Sequence, residues 1–171
     1  MITVKWILFF LIPGAVGICG VILGRDLKMR HYELDQFLLG IRIMTREMSY
    51  AAPSLEVCFR RARDATEGTM AQIFSLAADG IAAEKDDGAF GKALMMMRED
   101  LFLTDGDLEW MGRFGVGLGV ADLENTLKSL GYMEERAEES LRTAEQNENR
   151  WGQVFLRGGW LLGFAVALVF I

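Results

Sequence analysis

Two long apolar runs at the ends of this chain constrain it more than anything between them. From Trp6 to Leu23 there are 18 residues without a charge, and from Val154 to Ile171 the one charge is Arg157, near the start. A helix as long as either run reaches about 27 Å, enough to cross a hydrocarbon core. Each is therefore expected to be a transmembrane helix, the first within residues 1–24 and the second over 154–171, with 25–153 as the domain between them. A cleavable signal peptide competes for the first run. Its apolar part would be about 7 to 15 residues, with basic residues in front. Here only Lys5 precedes the run, whereas Arg25, Lys28 and Arg30 follow it. Those three cations, with Arg150 and Arg157 at the start of the second run, place the middle domain in the cytoplasm and both termini outside. Pro13, Gly14, Gly17 and Gly20 fall inside the first run, where they either admit a second helix or reflect the usual glycine content of membrane helices.

What remains has room for one modest domain of about 130 residues. Removing Lys5 from the net charge of -6 leaves -7 between Arg25 and Arg157. An acidic balance of this kind excludes a nucleic-acid surface, which clusters Lys and Arg on one face. Proline occurs twice, at Pro13 and Pro53. Ala, Leu, Met, Glu and Arg abound, and alternating runs of Val, Ile and Thr are missing. The domain is therefore expected to be all-α. The two cysteines, Cys19 and Cys58, fall in the first apolar run and in an amphipathic helix, so they are expected as free thiols in a reducing compartment.

Along the chain, Leu34, Phe37, Leu38, Ile41, Met44 and Met48 recur at spacings of three and four and mark one buried stripe. That helix is expected to stop before Ala52-Pro53, with the Ser54 hydroxyl capping the next one. A second helix, Leu55 to Ala65, buries Leu55, Cys58, Phe59 and Ala62 and exposes Arg60, Arg61 and Arg63. The three arginines read either as a docking patch for lipid head groups or an acidic partner, or as an ordinary solvated face. A third helix runs from Thr69 to Lys85 and is broken by Asp86-Asp87-Gly88. Phe90, Leu94, Met97 and Leu101 place a fourth over Ala89 to Leu101. Within it Met95-Met96-Met97 supplies flexible, polarisable bulk, for gripping a partner or, since three adjacent helical positions point in different directions, for ordinary core filling by one or two of them. Thr104 and Asp107 fit a capping box for a fifth helix, which carries Leu108, Trp110 or Met111, Phe114, Val116 and Leu118.

Gly112, Gly115, Gly117 and Gly119 lack the preceding strand and the following Lys-Ser/Thr or ribose-binding acid of a phosphate loop. They fit close helix packing and a chain reversal instead. At Leu118-Gly119-Val120-Ala121-Asp122 the chain is expected to form a helical hairpin, Gly119 ending one helix and Asp122 capping the next. The outgoing helix carries Leu123, Leu127, Leu130, Met133 or Tyr132, Ala137 and Leu141, after which the apolar stripe fades into an acidic stalk. Catalysis is not expected. A lone His31 builds neither a zinc site nor a nucleophilic triad, and no Glu-x-x-His pair occurs for a di-iron bundle. His31 is expected as a surface residue near the membrane. No cofactor, metal or small-molecule substrate is expected.

The whole length resembles the stage III sporulation protein AB family of endospore-forming bacteria. The resemblance rests on the amino-terminal anchor with basic residues behind it, the motif Leu118-Gly119-x-x-Asp122, the glutamates Glu134, Glu135, Glu138, Glu139 and Glu145, and the small-residue opening Gly158-Gly159-Trp160-Leu161-Leu162-Gly163 of the last run. It implies an antiparallel bundle of about six helices flanked by two transmembrane helices. It further implies a non-enzymatic scaffold of the secretion-like channel between mother cell and forespore, in the cytoplasmic membrane on the mother-cell side. By analogy with inner-membrane platform proteins, its partners would be the membrane, the secretion-type ATPase stage III sporulation protein AA and other channel components. The candidate site residues are the turn motif Leu118, Gly119 and Asp122 and a basic set of Arg25, Lys28, Arg30, Arg60, Arg61 and Arg63. A platform protein of a type II secretion or type IV pilus system and a membrane-anchored signalling bundle are the alternatives.

The hairpin reading has a direct test. Gly119→Val is expected to lower stability by about 1–2 kcal/mol or more, because a β-branched residue resists positive φ. Unchanged thermal unfolding of residues 25–153 would show that the chain reverses elsewhere.

Overall fold

The computed structural model describes residues 2–84, 88–114 and 123–152; the side chains of 2–17, 19, 20, 84, 151 and 152 fall outside that description. Among the described residues the chain is entirely helical, with no strand. The order is α1 (Ile2–Ala51), α2 (Leu55–Ala65), α3 (Gly68–Glu84), α4 (Ala89–Met96), a 3-10 turn (Arg98–Asp100), α5 (Asp105–Gly112), α6 (Leu123–Asn147) and a π-helical turn (Glu148–Gly152). The chain divides into two compact units. One is Tyr32–Arg142, and the other joins Met1–His31 to Thr143–Ile171.

The first of these units is built around phenylalanine. Phe37 of α1, Phe59 of α2, Phe74 of α3, Phe90 of α4 and Phe114, just past α5, are each at most 1% exposed. Phe90 lies at the centre. Its ring centroid is 5.8 Å from Phe37, 6.0 Å from Phe59, 5.8 Å from Phe74 and 5.2 Å from Phe114. Phe59 lies parallel to it, and Phe114 meets it edge-on with 80° between the planes. Both arrangements place the positive edge or an offset face of one ring against the negative face of another, worth about 0.5–1.5 kcal/mol per pair beyond area burial. One ring from each of five consecutive segments meeting at one point fixes the packing of α1 to α5.

The α1 stripe is buried as its spacing requires: Leu34, Phe37, Ile41 and Met44 have no exposed surface. The helix ends at Ala51, before Pro53. Ala52 enters the left-handed region at φ 42°, and its N–H donates to the Met48 carbonyl at 3.1 Å. A residue before proline avoids the right-handed helical region, and here the chain leaves by the left-handed cap rather than through extended backbone. Ser54 sits at the start of α2, but its hydroxyl makes no capping bond. The first turn closes instead through Cys58 N–H to the Ser54 carbonyl, 3.2 Å.

Helix α4 stops at Met96, short of the expected Leu101. The following turn carries Glu99 and Asp100, whose carboxylates would meet the negative end of the dipole had the helix continued. Helix α5 starts with the expected capping box, Thr104 N–H donating to Asp107 Oδ2 at 3.0 Å and Asp107 N–H to Thr104 Oγ1 at 3.2 Å. It ends at Gly112, so Phe114 reaches the core from a turn and not from a helix. A Cβ at Gly91 of α4 would lie 2.7 Å from the Gly112 carbonyl oxygen, so the two glycines mark a close crossing of α4 and α5. The expected reversal at Leu118, Gly119 and Asp122, with Val116, lies outside the described residues.

In α6 the stripe differs from expectation at its start: Leu123 is 44% exposed, while Thr126, Leu130 and Ala137 are buried. After Arg142 the helix passes into the other unit, close to where the stripe was expected to fade, and there Ala144 is 1% exposed. Among the described residues no helix is long and apolar enough to cross a membrane. The first expected span lies in α1, where most side chains before residue 21 are outside the description, and the second, 154–171, lies wholly outside it.

Two glycines test this packing with one substitution of opposite sign. Alanine is a better helix former than glycine by about 1 kcal/mol. At Gly40 a Cβ would lie 2.4 Å from the ring of buried Phe74. Overpacking of that kind costs about 1–3 kcal/mol, and Gly40→Ala is expected to destabilise the protein. At exposed Gly131 nothing lies within 4 Å, and Gly131→Ala is expected to stabilise by about 0.5–1 kcal/mol. Thermal unfolding of both variants reads the two signs.

Candidate interaction surface

Helix α2 positions its arginines by burying Cys58, Phe59 and Ala62, which turns Arg61 outward and leaves Arg60 and Arg63 half-buried. Two of the three are engaged within the domain. Arg60 Nε donates to Glu56 Oε1 at 3.0 Å, and its Nη2 reaches Asp79 Oδ1 at 3.2 Å; Arg63 grips the neighbouring Asp64 at 2.7 Å. Two of the cations thus meet three carboxylates, Glu56, Asp64 and Asp79. Arg61 is exposed and, among the described residues, in no ion pair. Of the two readings of this triplet, these ion pairs are what a solvated helix face makes, and Arg61 remains available on the surface. Arg25, Lys28 and Arg30 belong to the other unit, with Arg25 and Lys28 exposed.

The acidic helix behaves similarly. From Leu123 to Asn147 there are six glutamates against Lys128, Arg136 and Arg142, a net of -3. Arg42 of α1 bridges Glu134, at 2.9 Å, and Glu138. The Glu134 hydrogen bond first, then that of Glu138, hold its guanidinium more firmly protonated. Lys128 pairs with Glu124 and Arg136 with Glu139. Exposed pairs of this kind are worth about 0–1 kcal/mol each, so they mainly set which charges remain for a partner. His31 is not a bare surface residue: its Nδ1 lies 2.7 Å from Glu148 Oε2, within the unit that holds both. Nothing in sequence spacing links residues 117 apart.

Two buried groups show shifted acidity. The Cys58 thiol is pushed up to about 11, first by burial and then by the charge of Glu47. Glu33, 3% exposed on α1, is pushed from an ordinary 4.5 up to about 7 by burial; against this, the Phe102 N–H donates to its Oε2 at 2.8 Å. Sequence reasoning passed over Glu33 although it adjoins the stripe residue Leu34, because an acid beside an apolar position reads as solvated. Among the described residues no group of three or more His, Cys, Asp or Glu is placed to hold a metal ion.

Of the methionine run, Met95 and Met96 do not fill the core, and Met97 alone is partly covered. Met95 is 53% and Met96 74% exposed, and Met97 is intermediate. The helix end that follows leaves Phe102 37% exposed. Met95, Met96 and Phe102 are thus exposed apolar side chains within the segment 95–102.

Comparison with known proteins gives the chain its relatives. The family model described as stage III sporulation protein AB matches residues 5–171. A solved structure of a stage III sporulation protein AB superposes with a TM-score of 0.65 at 20% identity, covering 71% of this chain and 98% of that one. At that identity the superposition speaks for a shared fold. No curated protein matches the chain in sequence.

The buried carboxyl of Glu33 makes stability depend on pH. Its folded-state value lies above its unfolded one, so the folded chain holds the proton more tightly. The stability it contributes is complete below about pH 4.5 and is lost as pH rises through about 7. Glu33→Gln keeps an acceptor for Phe102 and removes the charge. It is expected to be more stable than the parent by about 1–3 kcal/mol at alkaline pH and nearly equal to it under acid conditions. Denaturant unfolding across pH measures this, and parallel curves for the two chains would show that Glu33 is not the titrating group.

Proposed function

This chain belongs to the stage III sporulation protein AB family, and from that premise we propose that it is a non-catalytic membrane scaffold of a secretion-like sporulation channel. The observation that carries the reading is the family match over residues 5–171, which takes in both apolar ends as well as the helical domain. The family makes the protein a component of a sporulation complex. The scaffold role rests on what the domain offers: a helical unit rigidified by a five-ring core, with most surface arginines already neutralised by its own carboxylates.

In this reading residues 1–24 and 154–171 anchor the protein in the cytoplasmic membrane from two sides, with the basic residues Arg25, Lys28 and Arg30 at the inner surface. The helical domain lies on the cytoplasmic side, in the mother cell, and docks the secretion-type ATPase of the complex, stage III sporulation protein AA. A rigid domain suits that role, since binding then costs little conformational ordering.

Co-purification tests the docking step. The full chain, solubilised in detergent with both apolar ends intact, is expected to retain stage III sporulation protein AA through affinity purification. Complete separation of the two at low ionic strength would remove the docking role.

A further inference from the structure

Helix α1 carries two stripes, and the core uses one of them. At about 100° per residue, Leu34, Phe37, Ile41 and Met44 face inward and are buried. On the opposite side Tyr32, Gln36, Leu39, Ile43, Arg46 and Tyr50 follow one another at spacings of four and three, as the a and d positions of a two-helix seam do. Tyr32 is 39%, Leu39 37% and Tyr50 94% exposed, and Ile43 is half-buried. Because one helix carries all six, they share one face.

The far end of this face is hollow. Ile43, Arg46, Glu47 and Tyr50 line an open depression of about 300 Å³. They stand at i, i+3, i+4 and i+7, the four positions that in a coiled coil form the hole for a side chain of the facing helix. Arg46 is exposed and Glu47 half-buried, and among the described residues neither is in an ion pair. The other charges of α1 in this unit are placed differently. Glu33 is buried against the Phe102 N–H, Arg42 is held by Glu134 and Glu138, and exposed Asp35 lies about three turns from Arg46. Exposed Glu67 stands at the other end of the seam, its N–H donating to Gln36 and its carboxylate accepting from Tyr32.

A second copy of the chain matches this face. Arg46 and Glu47 lie on opposite flanks of the seam, about 40° to one side and about 60° to the other. A two-fold axis parallel to the helix exchanges those flanks, so each arginine meets the glutamate of the other copy at nearly the same height. Helix α1 runs without a break from Ile2, and two copies leaving one membrane lie parallel. In a parallel pair the side chain at position 46 is the one that enters this hole.

We propose that α1 pairs in parallel with α1 of a second copy through this seam, the partner's Arg46 filling the hole lined by Ile43, Glu47 and Tyr50. Its stem packs on Ile43 and the Tyr50 ring while its guanidinium pairs with Glu47. Leu39 and Ile43 each meet their own counterparts. The seam is shorter than about three heptads, so confinement to one membrane supplies the effective concentration that its small area lacks. The direction of the pair rests on the anchor reading above, whereas the match of charge and shape does not.

Oxidative cross-linking of the full chain in membranes, with copper phenanthroline, tests the pairing. Cys58 is buried, and Cys19→Ala removes the other thiol. Parallel copies bring equal positions together, so Leu39→Cys is expected to form disulfide-linked dimers. Met96→Cys, on α4 and 74% exposed in the parent, is expected to form none. Within the Leu39→Cys chain, Arg46→Glu or Glu47→Arg is expected to reduce the cross-linked fraction at least about threefold. The swapped chain, Arg46→Glu/Glu47→Arg, is expected to regain the parent level, which a loss of folding does not allow.

Equal cross-linking at positions 39 and 96, no effect of the single charge changes, or no recovery in the swapped chain would each overturn the proposal. Alkaline carbonate extraction separates it from the anchor reading. A chain that resists extraction without cross-linking removes the pairing and leaves the anchor. A chain that is extracted and still cross-links removes the anchor and leaves the seam.

Discussion

The unit Tyr32–Arg142 depends on a single meeting point, the contact of Phe90 with four other phenylalanine rings. Short helices such as α4 and α5, of eight residues each, are marginal alone, because nucleation costs more than a few hydrogen bonds return. Their stability comes from what they bury. By contributing one ring each to a shared cluster, the helices become mutually dependent. Removing any ring leaves a cavity that the other four cannot close, since aromatic rings are stiff and interiors are close-packed. The glycines follow from the same crowding: Gly40 yields to the Phe74 ring, and Gly91 to the backbone at Gly112.

A domain this tightly tied from within has little polar surface left to commit elsewhere. Arg42, Arg60, Arg63, Arg98 and Arg113 each meet a carboxylate of the same unit. Such pairs add little stability, but they neutralise sites that counting charges along the sequence would treat as basic patches. Among the described residues, Arg46, Arg61 and Arg142 of this unit are exposed and in no ion pair.

Much of the fold was legible because helical periodicity is a local signal. The stripe from Leu34 to Met48, the bounds of α2, and the Thr104–Asp107 box all follow from spacing and from the residue types that satisfy free amides. Where reading failed, the deciding term was not local. Ser54 had the right chemistry for a cap, yet the backbone alone closed the turn. Met95 and Met96 had the right chemistry for a core, but the five rings had already filled it. Ala144 is too small to register in a hydrophobic pattern, though its size suits a buried face. The pairing of His31 with Glu148 and the burial of Glu33 depend on tertiary neighbours far along the chain. The candidate site divided the same way: the arginines of α2 were found by sequence, and the pairing of Arg60 with Asp79 of α3 was not.

The buried thiol of Cys58 adds a property of a different kind. It sits on α2 beside Phe59, with no exposed surface, and its acidity is suppressed to about 11. A thiol reacts as the thiolate, so in the closed domain Cys58 is doubly protected, by lack of access and by lack of ionisation. Both protections vanish together when α2 lifts away from the ring cluster. The rate at which Cys58 is alkylated therefore reports the open population when reclosing outpaces alkylation, and the opening rate when alkylation outpaces reclosing. The domain carries its own chemical clock for how often its centre comes apart.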